Sequence, residues 1–155
     1  MTNNDVLRRI RYTFDYSDPK VIEIFGHAGL DITREELKGW LKKDDEEGYV
    51  GCGDKQLATF LNGLIITNRG KQDGAVPEPE KKLNNNIIFR KLKIALDLKN
   101  EDVLERLSLA SITISKHELS AFFRRPGHKH FRACKDQILR NFLQGMQIKI
   151  RPTTD

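Results

Sequence analysis

The feature that most constrains the fold is an internal repeat, because residues 3–65 align with residues 85–147 without a gap when the chain is shifted by 82 positions. Sixteen of the 63 aligned pairs are identical, and most of the others keep their chemical class. The identical pairs include Cys52/Cys134, Asp54/Asp136 and Gly63/Gly145. A repeat of this kind predicts two copies of one structural unit that bury their apolar faces together.

Each copy has the apolar spacing of four short helices. In the first helix Val6, Leu7 and Ile10 fall on one helical face, and Ile88 and Leu92 repeat that face in the second copy. We therefore predict an all-α fold of two tandem four-helix repeats related by a pseudo-twofold axis.

The composition along the chain sets the predicted boundaries. Residues 69–82, "RGKQDGAVPEPEKK", are rich in Gly, Pro and charge and have no apolar face, so we expect a linker there. Residues 1–68 then form the first repeat, residues 83–150 the second, and residues 151–155 a tail. We expect the two repeats to share one core.

Local signals predict where several helices begin. The capping boxes Thr33-x-x-Glu36 and Ser115-x-x-Glu118 mark the start of the third helix of each copy. Asp18 is the expected cap of the second helix, and Asp54 and Asp136 are expected to cap the fourth helices. The short segments 30–32 and 112–114 are candidates for a minimal two-stranded ribbon.

Gly63 and Gly145 lie inside the fourth helix of each copy, where a glycine lowers helix stability by ~1 kcal/mol relative to alanine. Their recurrence predicts a close helix–helix approach. We expect the two fourth helices to cross at the pseudo-twofold axis.

Charge divides the chain into two unlike halves. Residues 1–68 hold nine Lys or Arg against twelve Asp or Glu, whereas residues 83–155 hold fourteen against seven. The chain has two cysteines, no apolar run near the ~18 residues of a membrane span and no apolar segment at the start. We therefore expect a cytoplasmic location.

Four stretches resemble the YehS-like family of bacterial proteins: "WLKKDDEEGY", "LATFLNGLI", "NNNIIFRKLKIAL" and "PGHKHFRACKDQILRNFLQGM". The resemblance covers nearly the whole chain. It implies a bacterial origin, a build of two helical copies of a domain of unknown function, and no established activity. It identifies no catalytic or ligand-binding residue.

The residues around the second cysteine are candidates for a catalytic or metal site. Cys134 has His128 and His130 nearby and Asp136 after it, but the spacing matches no common zinc pattern. The equivalent Cys52 has acidic neighbours and no histidine, so we interpret both cysteines as structural. We predict no metal, no cofactor and no enzyme activity.

Nucleic-acid binding is the alternative function. The second and third helices of the second copy loosely resemble a helix-turn-helix, from which four side chains would project: Lys116, His117, Ser120 and Arg124. The equivalent segment of the first copy is acidic, which does not suit a duplicated DNA-binding module.

The loop after the third helix differs in charge between the copies. We call residues Asp44, Asp45, Glu46 and Glu47 the acidic loop. We call the following residues of the second copy the basic surface: Arg124, Arg125, His128, Lys129, His130 and Arg132. This complementarity predicts a non-catalytic interaction or regulatory protein that associates with itself or binds another protein, and nucleic acid is the other candidate partner.

Overall fold

The computed structural model describes residues 1–71 and 76–151. These residues form eight α-helices and no strand, which confirms the predicted all-α class. The helices are α1 (Asn3–Phe14), α2 (Asp18–His27), α3 (Arg34–Trp40), α4 (Asp54–Arg69), α5 (Asn85–Ala95), α6 (Asn100–Leu109), α7 (Lys116–Phe122) and α8 (Asp136–Ile150).

The helix boundaries confirm the tandem repeat. Each helix of the second set begins 82 residues after its counterpart, as the starts of α1 and α5 or of α4 and α8 show. The chain divides into two compact units, Met1–Leu83 and Asn84–Asp155. The predicted linker and tail include residues 72–75 and 152–155, which lie outside the described residues. The prediction that the two repeats share one core stays a prediction. No helix among the described residues is long and apolar enough to cross a membrane.

Short-range capping explains where most helices begin. The capping boxes at Thr33 and Ser115 are both present, as predicted. The prediction for α2 was one residue late, because the hydroxyl of Ser17 caps the helix and Asp18 is its first residue. Segments 30–32 and 112–114 contain no strand, so the ribbon prediction was wrong.

Each unit packs two tilted phenylalanine rings against each other in its core. In the first unit Phe25 of α2 packs on Phe60 of α4 with ring centroids 5.3 Å apart. In the second unit Phe89 of α5 packs on Phe142 of α8 at 4.7 Å. Phe60 and Phe142 are equivalent in the repeat, so both units pack a ring on the same residue of the fourth helix.

The second ring comes from a different helix in the two units. Phe25 corresponds to Leu107, and Phe89 corresponds to Leu7, and all four side chains are fully buried. Each unit therefore keeps one Phe and one Leu at this pair of positions but exchanges their places. Such an exchange conserves side-chain volume, which is the kind of core change that a fold tolerates best.

The two helical glycines mark a close approach, but not the one that was predicted. A Cβ atom on Gly63 would lie 1.9 Å from the carbonyl oxygen of Ile24 in α2, and one on Gly145 would lie 1.7 Å from that of Arg106 in α6. The glycines thus let the fourth helix of each unit pack against the second helix of the same unit. The expectation that they mark a crossing of α4 and α8 was wrong.

We predict that Gly63→Ala destabilises the protein by about 3 kcal/mol, since the added methyl group meets a backbone carbonyl that cannot move aside alone. The matched control is Gly26→Ala, because Gly26 lies in α2 with open space around its missing Cβ. Alanine is the better helix former, so the control should stabilise by up to ~1 kcal/mol. Urea unfolding followed by circular dichroism measures both, and equal effects would contradict the close packing.

Candidate functional site

In each unit a buried asparagine of the first helix holds both ends of the charged loop. In the first unit the side-chain amide of Asn4 donates to the carbonyl oxygens of Trp40 (3.0 Å) and Val50 (2.8 Å). Its oxygen accepts a hydrogen bond from the backbone N–H of Cys52 (2.9 Å). The amide therefore joins the residue before the loop to the residues after it.

The second unit repeats this arrangement with Asn86. Its amide donates to the carbonyl oxygens of Phe122 (3.0 Å) and Arg132 (2.8 Å), and its oxygen accepts from the N–H of Cys134 (2.9 Å). We call this set of three hydrogen bonds the asparagine clamp. Asn4 and Asn86 are identical in the repeat, but the sequence alone did not reveal their role.

The preceding asparagine of each unit fixes the start of the fourth helix. Asn3 donates to the carboxylate of Asp54 (2.7 Å), and Asn85 donates to that of Asp136 (2.7 Å). These hydrogen bonds lower the pKa of both carboxyl groups. The capping prediction was wrong here, because the two aspartates are the first residues of α4 and α8, after Gly53 and Lys135 at the cap positions.

The backbones of the two loops follow the same path. The N–H of Val50 donates to the carbonyl of Gly39, and the N–H of Arg132 donates to that of Ala121, both at 3.1 Å. A turn in each loop is closed by a 3.0 Å hydrogen bond, from Glu46 to Lys43 and from His128 to Arg125. The loops therefore present different side chains from equivalent frames.

The structure brings the basic surface together on one loop. Five of its six side chains are exposed, and His128 is half-buried. The Nδ1 atom of His128 accepts a hydrogen bond from the backbone N–H of His130 (3.0 Å), and the two rings lie 5.5 Å apart. Arg124, Arg125 and Lys129 form no ion pair within the described residues.

The acidic loop is exposed along its whole length. Glu46 accepts a hydrogen bond from the N–H of Lys43 (2.8 Å), and Lys42 donates to the carbonyl of Glu47. A polar cleft of about 240 Å³ adjoins the loop and is lined by Thr2, Asn4, Asp5, Arg8, Lys43, Asp44, Asp45 and Tyr49. The groups at its floor already bind one another, since Tyr49 donates to Asn4 and Arg8 pairs with Asp5.

The structure does not gather the predicted nucleic-acid contacts on one helix. Helix α7 has seven residues and ends at Phe122, so Arg124 belongs to the loop. Lys116 forms an ion pair with Glu101 of α6 at 3.2 Å, and Ser120 is half-buried. His117 is exposed, with its ring 6.3 Å from that of His130. Nucleic-acid binding through these residues stays a prediction.

Both cysteine thiols are buried and protonated. Cys52 is 6 % exposed and Cys134 is 5 % exposed. Burial raises the pKa of each thiol to about 12, and a nearby aspartate adds to the effect at both sites. The described residues contain no group of three or more side chains placed to hold a metal ion.

We predict that Asn86→Ala destabilises the second unit by about 3 kcal/mol, because three backbone groups lose their partner at once and the N–H of Cys134 is left buried without one. Asn85→Ala is the control, since that side chain is half-exposed and water can replace it, and it should lower stability by about 1 kcal/mol. Urea unfolding compares the two variants. Equal losses would contradict the clamp.

We predict that iodoacetamide modifies both native cysteines equally slowly. A thiol with a pKa of about 12 is ionised to only about one part in 10⁴ at pH 8, so its reaction should be ~10³-fold slower than that of an ordinary cysteine. Peptide mapping by mass spectrometry measures each site, with the guanidinium-unfolded chain as the control. Faster modification of Cys134 than of Cys52 would show an activated thiol.

Comparison with known proteins agrees with the repeat. The chain matches the family described as "Protein of unknown function (DUF1456)" over residues 3–70 and again over residues 85–151. It is 43% identical over 147 residues to "Uncharacterized protein YehS" of Escherichia coli (strain K12), an alignment that covers 94% of each chain. No solved structure matches the chain. With two tandem matches that span most of its length, the chain belongs to the DUF1456 family.

Proposed function

We propose that this protein is a non-catalytic interaction protein whose basic surface binds an acidic protein segment. One observation carries the proposal. The two units hold the same loop on the same hydrogen-bonded frame, and both carry two cations before the variable positions, Lys42 and Lys43 in one and Arg124 and Arg125 in the other. Four carboxylates follow only in the first loop, whereas the second has none and adds Lys129 and Arg132.

Within the described residues Arg124, Arg125 and Lys129 form no ion pair, unlike cations elsewhere in the chain. Arg8 pairs with Asp5, and Lys149 pairs with Glu105. By contrast, the basic surface carries four Arg or Lys within nine residues and has no acidic residue among them. Exposed like charges so close together repel one another, and a carboxylate-rich partner would relieve that repulsion.

The frame of the loop also favours binding. Because the clamp at Asn86 and the bond from Arg132 to Ala121 hold its ends, the loop backbone need not be ordered when a partner arrives. A preordered backbone lowers the entropic cost of association. Arginine adds planar guanidinium groups that can bind a carboxylate through two parallel hydrogen bonds.

The local chemistry supports a non-catalytic role. The buried, protonated thiols of Cys52 and Cys134 are poor nucleophiles. The Nδ1 atom of His128 is engaged with a backbone N–H rather than with a carboxylate that would orient it as a base. Two free thiols and a relative in Escherichia coli also support a bacterial cytoplasmic setting.

A protein partner is favoured over nucleic acid for two reasons. The seven-residue α7 is short for a helix that must reach into a DNA groove, and its first residue, Lys116, forms an ion pair with Glu101. The corresponding loop of the first unit would present carboxylates to the same phosphate backbone.

The test is fluorescence anisotropy with a labelled decaglutamate peptide and a labelled short DNA duplex. Arg124→Glu/Arg125→Glu should weaken binding of the peptide at least about tenfold, because each change replaces an attraction by a repulsion. The control Lys38→Glu/Lys55→Glu makes the same change in net charge at exposed positions of the first unit outside both loops and should alter the affinity less than about twofold.

Three outcomes would contradict the proposal. In the first, the wild-type chain does not bind the peptide at low salt. In the second, both double variants lose affinity equally, which would mean that the net charge of the chain alone determines binding. In the third, the duplex binds more tightly than the peptide with a steep salt dependence that the arginine substitutions reduce, which indicates a nucleic-acid function.

A further inference from the structure

We propose that the acidic segment bound by the basic surface is the acidic loop of a second copy of this chain. This inference rests on the proposed function, because it names the partner of the same surface. It makes the protein self-associating through contacts between unlike repeats of different copies.

The acidic loop has the properties that such a partner needs. Asp44, Asp45 and Glu47 are exposed, and none of their carboxylates forms an ion pair or hydrogen bond within the described residues. The clamp at Asn4 and the bond from Val50 to Gly39 hold the ends of the loop. The carboxylates are therefore presented from an ordered backbone and remain available.

The two loops match in size as well as in charge. They have equal length, because the repeat aligns them without a gap, and the same turn shapes both. The acidic loop places its four carboxylates on the turn, at the positions of Pro126, Gly127, His128 and Lys129 in the other unit. Arg124 precedes that turn, Arg125 begins it and Arg132 follows it along the chain, so their cations flank the place where an acidic turn would bind.

A second copy meets the electrostatic requirement without any other molecule. Each chain carries one loop of each sign, so the two occur at equal concentration wherever the protein is made. A pair of copies can form the contact twice when each donates its acidic loop to the other, which is the self-complementary arrangement of a twofold dimer. The opposite net charges of residues 1–68 and 83–155 would also favour encounters in which unlike halves face each other.

Sedimentation velocity of the full chain at several concentrations tests the inference. The wild-type chain should associate, and raising the salt concentration should weaken the association because the contact is between exposed charges. Arg124→Glu/Arg125→Glu brings the formal charge of the basic surface from +4 to zero, with histidine neutral, and places two carboxylates opposite the acidic loop. Asp44→Arg/Asp45→Arg brings that of the acidic loop from −4 to zero and places two cations opposite the basic surface. Each variant alone should raise the dissociation constant of self-association at least about tenfold, since like charges then face each other.

The decisive measurement is a mixture of the two charge-reversed variants. An equimolar mixture should form a mixed complex about as stable as the wild-type dimer, because the native acidic and basic loops meet in one contact and the substituted loops carry opposite charges at the exchanged positions in the other. The control Lys38→Glu/Lys55→Glu changes two exposed lysines outside both loops and should self-associate as the wild type does, and circular dichroism checks that every variant is folded. The substituted side chains are all exposed, so no loss of folding is expected.

The outcomes separate this inference from the proposed function. A wild-type chain that stays monomeric at every concentration overturns self-association, and the proposed function survives if the decaglutamate peptide still binds. Failure of the mixture to restore a complex also overturns the inference, because the contact then lies elsewhere. If the peptide does not bind either, the proposed function fails as well.

Discussion

The buried amide of Asn4, and of Asn86 in the second unit, is the interaction on which the rest of each unit depends. One amide offers two donors and one acceptor, and here all three go to backbone groups at the two ends of a loop. The bonds to the carbonyl of Trp40 and the N–H of Cys52 are buried, and a backbone group left there without a partner would cost about 1–3 kcal/mol. One asparagine thus ties the third helix and both ends of the loop to the first helix, and the asparagine before it ties the start of the fourth helix.

Tying the ends of the loop leaves its middle free to vary. Residues 44–47 and 126–129 share no identical pair, yet the turn hydrogen bonds of the two loops are the same. The side chains that hold the frame, by contrast, are identical, as Asn4/Asn86 and Asp54/Asp136 show. Because the backbone frame does not depend on the side chains at the turn, one fold can present opposite charges from the same position.

The sequence predicted the features that depend on near neighbours. The capping boxes at Thr33 and Ser115 involve residues three apart, and helical spacing located the buried face of α1 correctly. The features that it missed depend on residues far apart. The clamp bonds of Asn86 reach 36, 46 and 48 residues along the chain, and no local pattern signals them.

The glycine and aspartate positions show the same limit in another form. Recurrence of Gly63 and Gly145 correctly indicated a close approach, but it could not identify α2 and α6 as the helices that approach. Asp54 lies at the start of a helix, as a capping residue would, and only the position of Asn3 shows why its carboxylate turns elsewhere. In both cases the residue type indicates a local requirement, either a missing Cβ atom or a carboxylate at the start of a helix. Tertiary packing decides which neighbouring group the residue meets.

The charge on the basic surface has no comparable structural explanation. The clamp and the turn bonds hold this loop through backbone groups and one histidine nitrogen, so the fold does not need Arg124, Arg125 or Lys129. Exposed charges add little to stability even when paired, and unpaired charges of one sign close together slightly oppose it. A cluster that the fold neither requires nor neutralises is better explained by a binding partner than by stability. The equivalent loop of the first unit carries charges of the sign that such a partner would need.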